Sequence, residues 1–251
     1  MTRPSHTADS VKLQIFSYRF AKEILEHANH APAWTEIRDT VANAPLFIWP
    51  GKSSKNARLD VLQKVVNTYF DRKFHIDLGW EYHPFATKIP NSNLRADYRK
   101  NFNGLKVQSE IQFGNMARWY SDVFKFQAAY SESLIDVGVS VVPMNSLATR
   151  IDSNVAYFER AMRELPSAQL SITLPILLVG VELDEESTVI DVSTSGFGTV
   201  GEVNGKGKEE NRLRIVNAIV GGNSITTVNA SSPIGDKPRT ASGAAEEDDE
   251  E

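Results

Sequence analysis

Cysteine is absent from the 251 residues, which excludes disulfides, thiolate metal ligands and a cysteine nucleophile and leaves the redox compartment open. Long apolar runs are missing too. Stretches such as Leu174 to Val181 are strand-sized, far short of the roughly 20 residues that span a bilayer, so no membrane association is expected. Met1 to Ser10 is polar and lacks the apolar core of a secretion signal, and a cytoplasmic location is the expectation. There is no internal repeat. Hydrophobic residues make up 41% and charged residues 24%, a balance that excludes fibrous and wholly disordered chains and fits a sizeable core.

The net charge of −5 argues at first against a polyanionic partner, but Glu246 to Glu251 are all acidic, so the chain without this run is close to neutral. Like charges in a row repel one another and read as a solvated tail. Between Lys88 and Lys125, the basic residues Lys88, Arg95, Arg99, Lys100, Lys106, Arg118 and Lys125 outnumber Asp97, Glu110 and Asp122. This is the most basic informative stretch.

Val11, Leu13 and Ile15 alternate with polar residues at the period of a strand, and helical spacing follows over Ala21 to His30 and Ala33 to Ala42. Leu59, Leu62, Val66, Tyr69 and Phe70 predict a helix over Ala57 to Phe74. Asn101-Phe102-Asn103-Gly104 is a strong turn signal, so Leu94 to Phe113 reads as a β-hairpin. After it, Asn115 to Ser131 sets Met116, Trp119, Tyr120, Val123, Phe126 and Tyr130 on one helical face, with Arg118, Asp122 and Lys125 elsewhere. Val137 to Val142 and Leu174 to Val181 are apolar runs suited to strands buried on both faces, with a helical pattern over Val155 to Leu165 between them. The alternation predicts an α/β fold, a mixed β-sheet flanked by helices. Weaker islands at Thr188 to Val192 and Leu213 to Val220 are read as a C-terminal edge hairpin. One domain is expected over residues 1–223 and a disordered acidic tail over 224–251.

Two motifs carry little. Gly196 to Gly201 has the spacing of a dinucleotide loop, but no strand leads into it and a poor helix follows. His27 and His30 lack a third metal ligand nearby. The hairpin carries more. Asp97 lies on its first strand and Glu110-Ile111-Gln112 on its second, with Glu110 and Gln112 on one face. Carboxylates on adjacent strands, with the Ile111 carbonyl as a further oxygen, suit a hard cation such as Mg²⁺ that keeps its other positions for water and substrate phosphate. An exposed face of ordinary solvated charges accounts for the same spacing.

At these residues the sequence resembles type II restriction endonucleases of the BglII and BamHI kind, in particular the BglII and BstYI branch, within the PD-(D/E)xK nuclease superfamily. The resemblance covers roughly Trp34 to Glu182. It rests on Ala33-Trp34-Thr35-Glu36-Ile37 leading to Pro45-Leu46-Phe47-Ile48, on Asp97, on Glu110-Ile111-Gln112-Phe113-Gly114-Asn115, and on Leu177 to Glu182. The E-x-Q core is its most specific part, since most of the superfamily carries lysine in the last place.

The resemblance implies a restriction-endonuclease-like core and a homodimer that cleaves double-stranded DNA at a short palindromic site, related to a central GATC, leaving 5′ overhangs. No nucleotide cofactor is implied. Asp97 and Glu110 would ligate Mg²⁺, together with the Ile111 carbonyl, and Gln112 would place the attacking water. The gap between Asp97 and Glu110 is longer than in the BglII pattern, which makes Asn101 a competitor for the place of Asp97. Glu81 and His83 are candidates for one more polar site residue. Arg95, Arg99, Lys100 and Lys106 are expected to contact phosphates, which sets affinity and register rather than sequence. Two other functions stay open: a non-catalytic DNA-binding module, and a nonspecific repair nuclease of the same fold.

Overall fold

The computed structural model describes residues 11–184 and 187–239; the polar residues 1–10 and the acidic run at 246–251 lie outside them. In chain order the main elements are β1 (Lys12–Tyr18), α1 (Ala21–Leu25), α2 (Ala31–Ala42), α3 (Gln63–Phe70), β2 (Glu81–Tyr82), β3 (Tyr98–Phe102), β4 (Leu105–Ile111), α4 (Met116–Ser131), β5 (Val137–Pro143), α5 (Asn145–Ile151), α6 (Phe158–Glu164), β6 (Ile176–Glu182), α7 (Gly201–Asn204) and α8 (Glu209–Val220). The strands form one sheet in the order β1-β6-β5-β4-β3-β2. β5 runs parallel to both β4 and β6, while the remaining pairs are antiparallel.

The apolar runs sort by parity. Val139 and Val141 of β5 and Leu177 and Val179 of β6 face a core shared with Ile37, Val66, Phe70, Leu147 and Val216 from α2, α3, α5 and α8. Val142 and Leu178 face the opposite side, against Trp119, Phe126 and Phe158 from α4 and α6. Both faces of the central strands are therefore covered, which is why they read as unbroken apolar runs. Gly180 lets Phe158 approach closely: a Cβ there would lie 2.7 Å from its ring.

The predicted hairpin is present. Asn103 and Gly104 both have positive φ, at 51° and 97°, and join Phe102 to its partner Leu105 in a two-residue turn, the geometry that an Asn-Gly pair favours. The helix expected from Ala57 begins at Gln63 instead. Trp49 N–H donates to the Asp60 carbonyl and Val61 pairs with Ile48, so tertiary partners hold these residues extended. Beyond Phe70 the helix continues as a π-helical segment, Asp71–Asp77.

The C-terminal edge hairpin does not form. Val189 makes a single bridge to Ile48, and Leu213 to Val220 lies in α8. Leu213, Ile215 and Val216 are buried there, a helical spacing that the island itself carried. Past residue 223, Ile225 and Val228 are buried in the larger core. The glycines at 196–201 lead into the four-residue α7, preceded by a 3₁₀ turn rather than a strand, so no dinucleotide loop is built.

Candidate active site

A cavity of about 410 Å³ opens at the C-terminal end of β4. Two polar helical stripes wall it. Arg118, Ser121, Asp122 and Lys125 come from α4, and Gln63, Asn67 and Asp71 from α3 and its extension, each set repeating at helical spacing. Asp97, Tyr98, Ile111 and Gln112 line it from the sheet, with Tyr82 and His83. α4 is fixed at its start by Asn115, whose Oδ1 accepts the Arg118 N–H at 3.0 Å, as an N-cap should.

The β3–β4 register pairs Tyr98 with Ser109. Continued by one residue, it sets Asp97, just before β3, opposite Glu110. Asp97 Oδ2 accepts the Ile111 N–H at 2.7 Å. Glu110 is fully buried, its Oε1 accepting from Gln108 at 2.9 Å and its Oε2 from Lys125 at 2.8 Å. The Lys125 ammonium also lies 2.8 Å from Asp122 Oδ1, while Asp122 Oδ2 accepts from Gln112 Nε2 at 2.8 Å. Gln112 Oε1 accepts the Gly114 N–H; a Cβ at residue 114 would stand 2.7 Å from that oxygen.

Burial pushes the Glu110 carboxyl well above its ordinary range, and the nearby Asp97 charge adds to the rise while Lys125 opposes it. Asp122 is pushed up to about 6, again chiefly by burial. Burial alone would lower the Lys125 ammonium, yet Glu110, Asp97 and Asp122 together hold it above the usual lysine value. The site thus crowds three carboxyl groups around one ammonium.

Asp97, Ile111 and Gln112 line the cavity, with Glu110 fully buried beside them in β4, and His83 joins the lining, held at a positive φ of 48° with its N–H on the Asp97 carbonyl. Glu81 is exposed, pairs with Arg99 in the sheet and does not line the cavity. Asn101, the competitor for the Asp97 place, lies at the turn, where its Oδ1 accepts the Gly104 N–H.

Two of the four expected phosphate contacts point elsewhere. Lys100 stands three residues from Asp97, an odd step that turns it to the opposite face, where Glu36 and the Leu78 carbonyl take its ammonium. Lys106 sits at the turn end of β4 on the Ser133 carbonyl. Arg99 shares the face of Asp97 and donates to Gln108 and to the Phe85 carbonyl, and the Arg95 guanidinium lies 4.0 Å from the Phe85 ring centroid.

Lys125 carries no site signal in its position off the aromatic stripe. Asp122 does carry one: it falls between Trp119 and Phe126 at steps of three and four, inside the stripe that is buried.

The model of the restriction endonuclease BglII/BglIII family matches residues 13–181, more than half of the chain. The chain belongs to this family. It is thereby a type II restriction endonuclease, a phosphodiester hydrolase. The matched span holds β2 to β5 and the whole E-x-Q region, whereas α7 and α8 lie beyond it. Among solved structures, restriction endonuclease BglII complexed with a DNA 16-mer is similar at a TM-score of 0.58 and 20% identity, over 70% of this chain and 80% of that one. Free BglII gives a TM-score of 0.45 and 19% identity, over 70% and 82%. At 20% identity the likeness to the DNA-bound structure is one of fold. No curated protein matches the chain. No helix among the described residues is long and apolar enough to cross a membrane.

Proposed function

We propose that this family member is a Mg²⁺-dependent homodimer that cuts double-stranded DNA at a short palindromic site, GATC-centred, leaving 5′-phosphates on 5′ overhangs. The observation that carries this reading is the convergence of Asp97, Glu110 and Gln112 at one end of β4, beside an open polar cavity. Among the described residues no group of three His, Cys, Asp or Glu is arranged to enclose a metal. Two carboxylates and a carbonyl instead suit a hard cation that keeps several waters, as Mg²⁺ does.

Asp97, Glu110 and the Ile111 carbonyl would hold that cation. When bound it polarises a phosphoryl oxygen and acidifies a water. Gln112 orients the water by hydrogen bonds. An amide takes no proton, so the proton leaves to bulk water or a substrate phosphate oxygen. The water oxygen bonds to phosphorus as the bond to the 3′ oxygen breaks, and the departing 3′ oxygen takes a proton from solvent, leaving a 5′-phosphate and a 3′-hydroxyl. Arg95 and Arg99 keep the role of phosphate contacts, and His83 that of the additional polar group.

The homodimer rests on the outer face of α4. Tyr120 and Phe124, one turn apart, are 44% and 62% exposed, and the Tyr120 hydroxyl donates to Glu164 of α6. A rigid two-helix face with exposed aromatics suits a self-complementary seam, and a two-fold dimer matches a palindromic site. The GATC-centred site, the overhangs and the absence of a nucleotide cofactor rest on the resemblance of the E-x-Q branch.

Incubating the protein with unmethylated plasmid, in Mg²⁺ and separately in EDTA, and sequencing the fragment ends tests the reading. Discrete fragments in Mg²⁺ alone are expected. A smear would favour a nonspecific nuclease, and uncut but gel-shifted DNA a binding module.

The titrations give a second test. Glu110 and Asp122 bind protons more tightly folded than unfolded, so their contribution to stability is present at low pH. It is lost as pH rises through the ordinary carboxylate range to about 6 and, for Glu110, beyond. A cation that replaces these protons should raise the melting temperature more at about pH 8 than at about pH 5. Equal shifts at both would argue that no cation sits on these carboxylates.

A further inference from the structure

We propose that Lys125 is a positioning residue of the cleavage site, its ammonium locking Glu110 on β4 and, through Asp122 on α4, Gln112 into the arrangement that cleavage requires. The inference rests on the assignment of Glu110 and Gln112 made above.

Both groups depend on this one ammonium. It is 2.8 Å from Glu110 Oε2 and 2.8 Å from Asp122 Oδ1, and the other oxygen of Asp122 holds the Gln112 amide. The chain Glu110–Lys125–Asp122–Gln112 therefore crosses from strand to helix and back. Glu110 and Asp122 are both buried, so their mutual repulsion is poorly screened. The ammonium placed between them offsets that repulsion and holds both carboxyl groups close.

Stability alone is a weak reason for such a group. Buried ion pairs are often replaceable as a whole by apolar residues of similar volume without loss, and Lys125 lies on the cavity wall rather than in either apolar core. Two of its three N–H donors are used by the carboxylates, and its stem lies on the polar stripe of α4 that faces the cavity.

The test compares Lys125→Met, Lys125→Arg and Glu110→Ala with the wild-type full chain, measuring single-turnover cleavage in Mg²⁺ across a range of DNA concentrations. Lys125→Met is expected to lower the maximal rate by about 100-fold or more, the scale of an ångström misplacement at a reacting centre, with the DNA concentration for half-maximal rate within about threefold of wild type. Lys125→Arg keeps the charge but replaces a compact ammonium by a longer planar fork. It should recover part of the loss while remaining about tenfold below wild type at unchanged half-saturation.

Should the methionine variant not fold, the arginine variant carries the test by itself. A wild-type rate in either variant overturns the inference, as does a rate loss matched by an equal rise in half-saturation. Glu110→Ala separates the two levels. If it is inactive while Lys125→Met cuts normally, the inference alone fails; if it cuts normally, or the wild type does not cut, the site reading fails with it.

Discussion

Glu110→Ala is expected to reduce Mg²⁺-dependent cleavage by about 10³-fold or more, since it removes one of two carboxylates proposed to hold the cation on which transition-state charge stabilisation depends. Binding of duplex DNA, measured by gel shift without Mg²⁺, should stay within about threefold, because affinity comes from phosphate contacts made elsewhere. Glu110 is fully buried, so the substitution also leaves Lys125 and Gln108 short of an acceptor. Some destabilisation is therefore expected, and Glu110→Gln provides the isosteric control. The measurement is single-turnover cleavage at saturating Mg²⁺ with the folded fraction checked by circular dichroism. Wild-type rates in a folded variant would remove Glu110 from the site.

Phe126→Ala should be the most destabilising change on the site's own helix. Phe126 is fully buried in the core between α4 and the sheet, seated on Gly138, where an added Cβ would meet its ring at 2.9–3.1 Å. Glycine at 138 and phenylalanine at 126 thus fill one space between them. Removing the ring costs about 3–5 kcal/mol by loss of burial and creation of a cavity, a large share of the roughly 5–15 kcal/mol that holds a domain folded. Urea titration should show a lower midpoint with an unchanged slope. Cleavage should fall further than stability explains, because Lys125 is adjacent in sequence and Asp122 is one turn away. An unchanged midpoint would mean that α4 is not held on the sheet by this contact.

Local chemistry was legible wherever one element decided the outcome. Asn103-Gly104 predicted the hairpin because few residue pairs adopt two successive positive φ values. The stripe from Met116 to Tyr130 announced α4, and the runs Val137 to Val142 and Leu174 to Val181 announced strands covered on both faces. The misreadings have identifiable causes. Leu213, Val216 and Val220 fall at steps of three and four, the period of a helix rather than of a hairpin, and Lys100 stands an odd step from Asp97, which puts it on the other face of the strand. Residues 57–62 were a different case, since Ile48 and Trp49 overrode their helical pattern.

By itself the sequence determined the mixed α/β plan, the hairpin, and a set of three residues, Asp97, Glu110 and Gln112, whose spacing along two adjacent strands already places them together. Tertiary structure decided what surrounds them. It buried Glu110, carried Asp122 and Lys125 across from α4, walled the cavity with α3, and turned Lys100 away. The reason is one of range: strand parity and turn chemistry act over a few residues and are written in them, whereas the packing of a helix on a sheet joins positions with no local signal of their meeting.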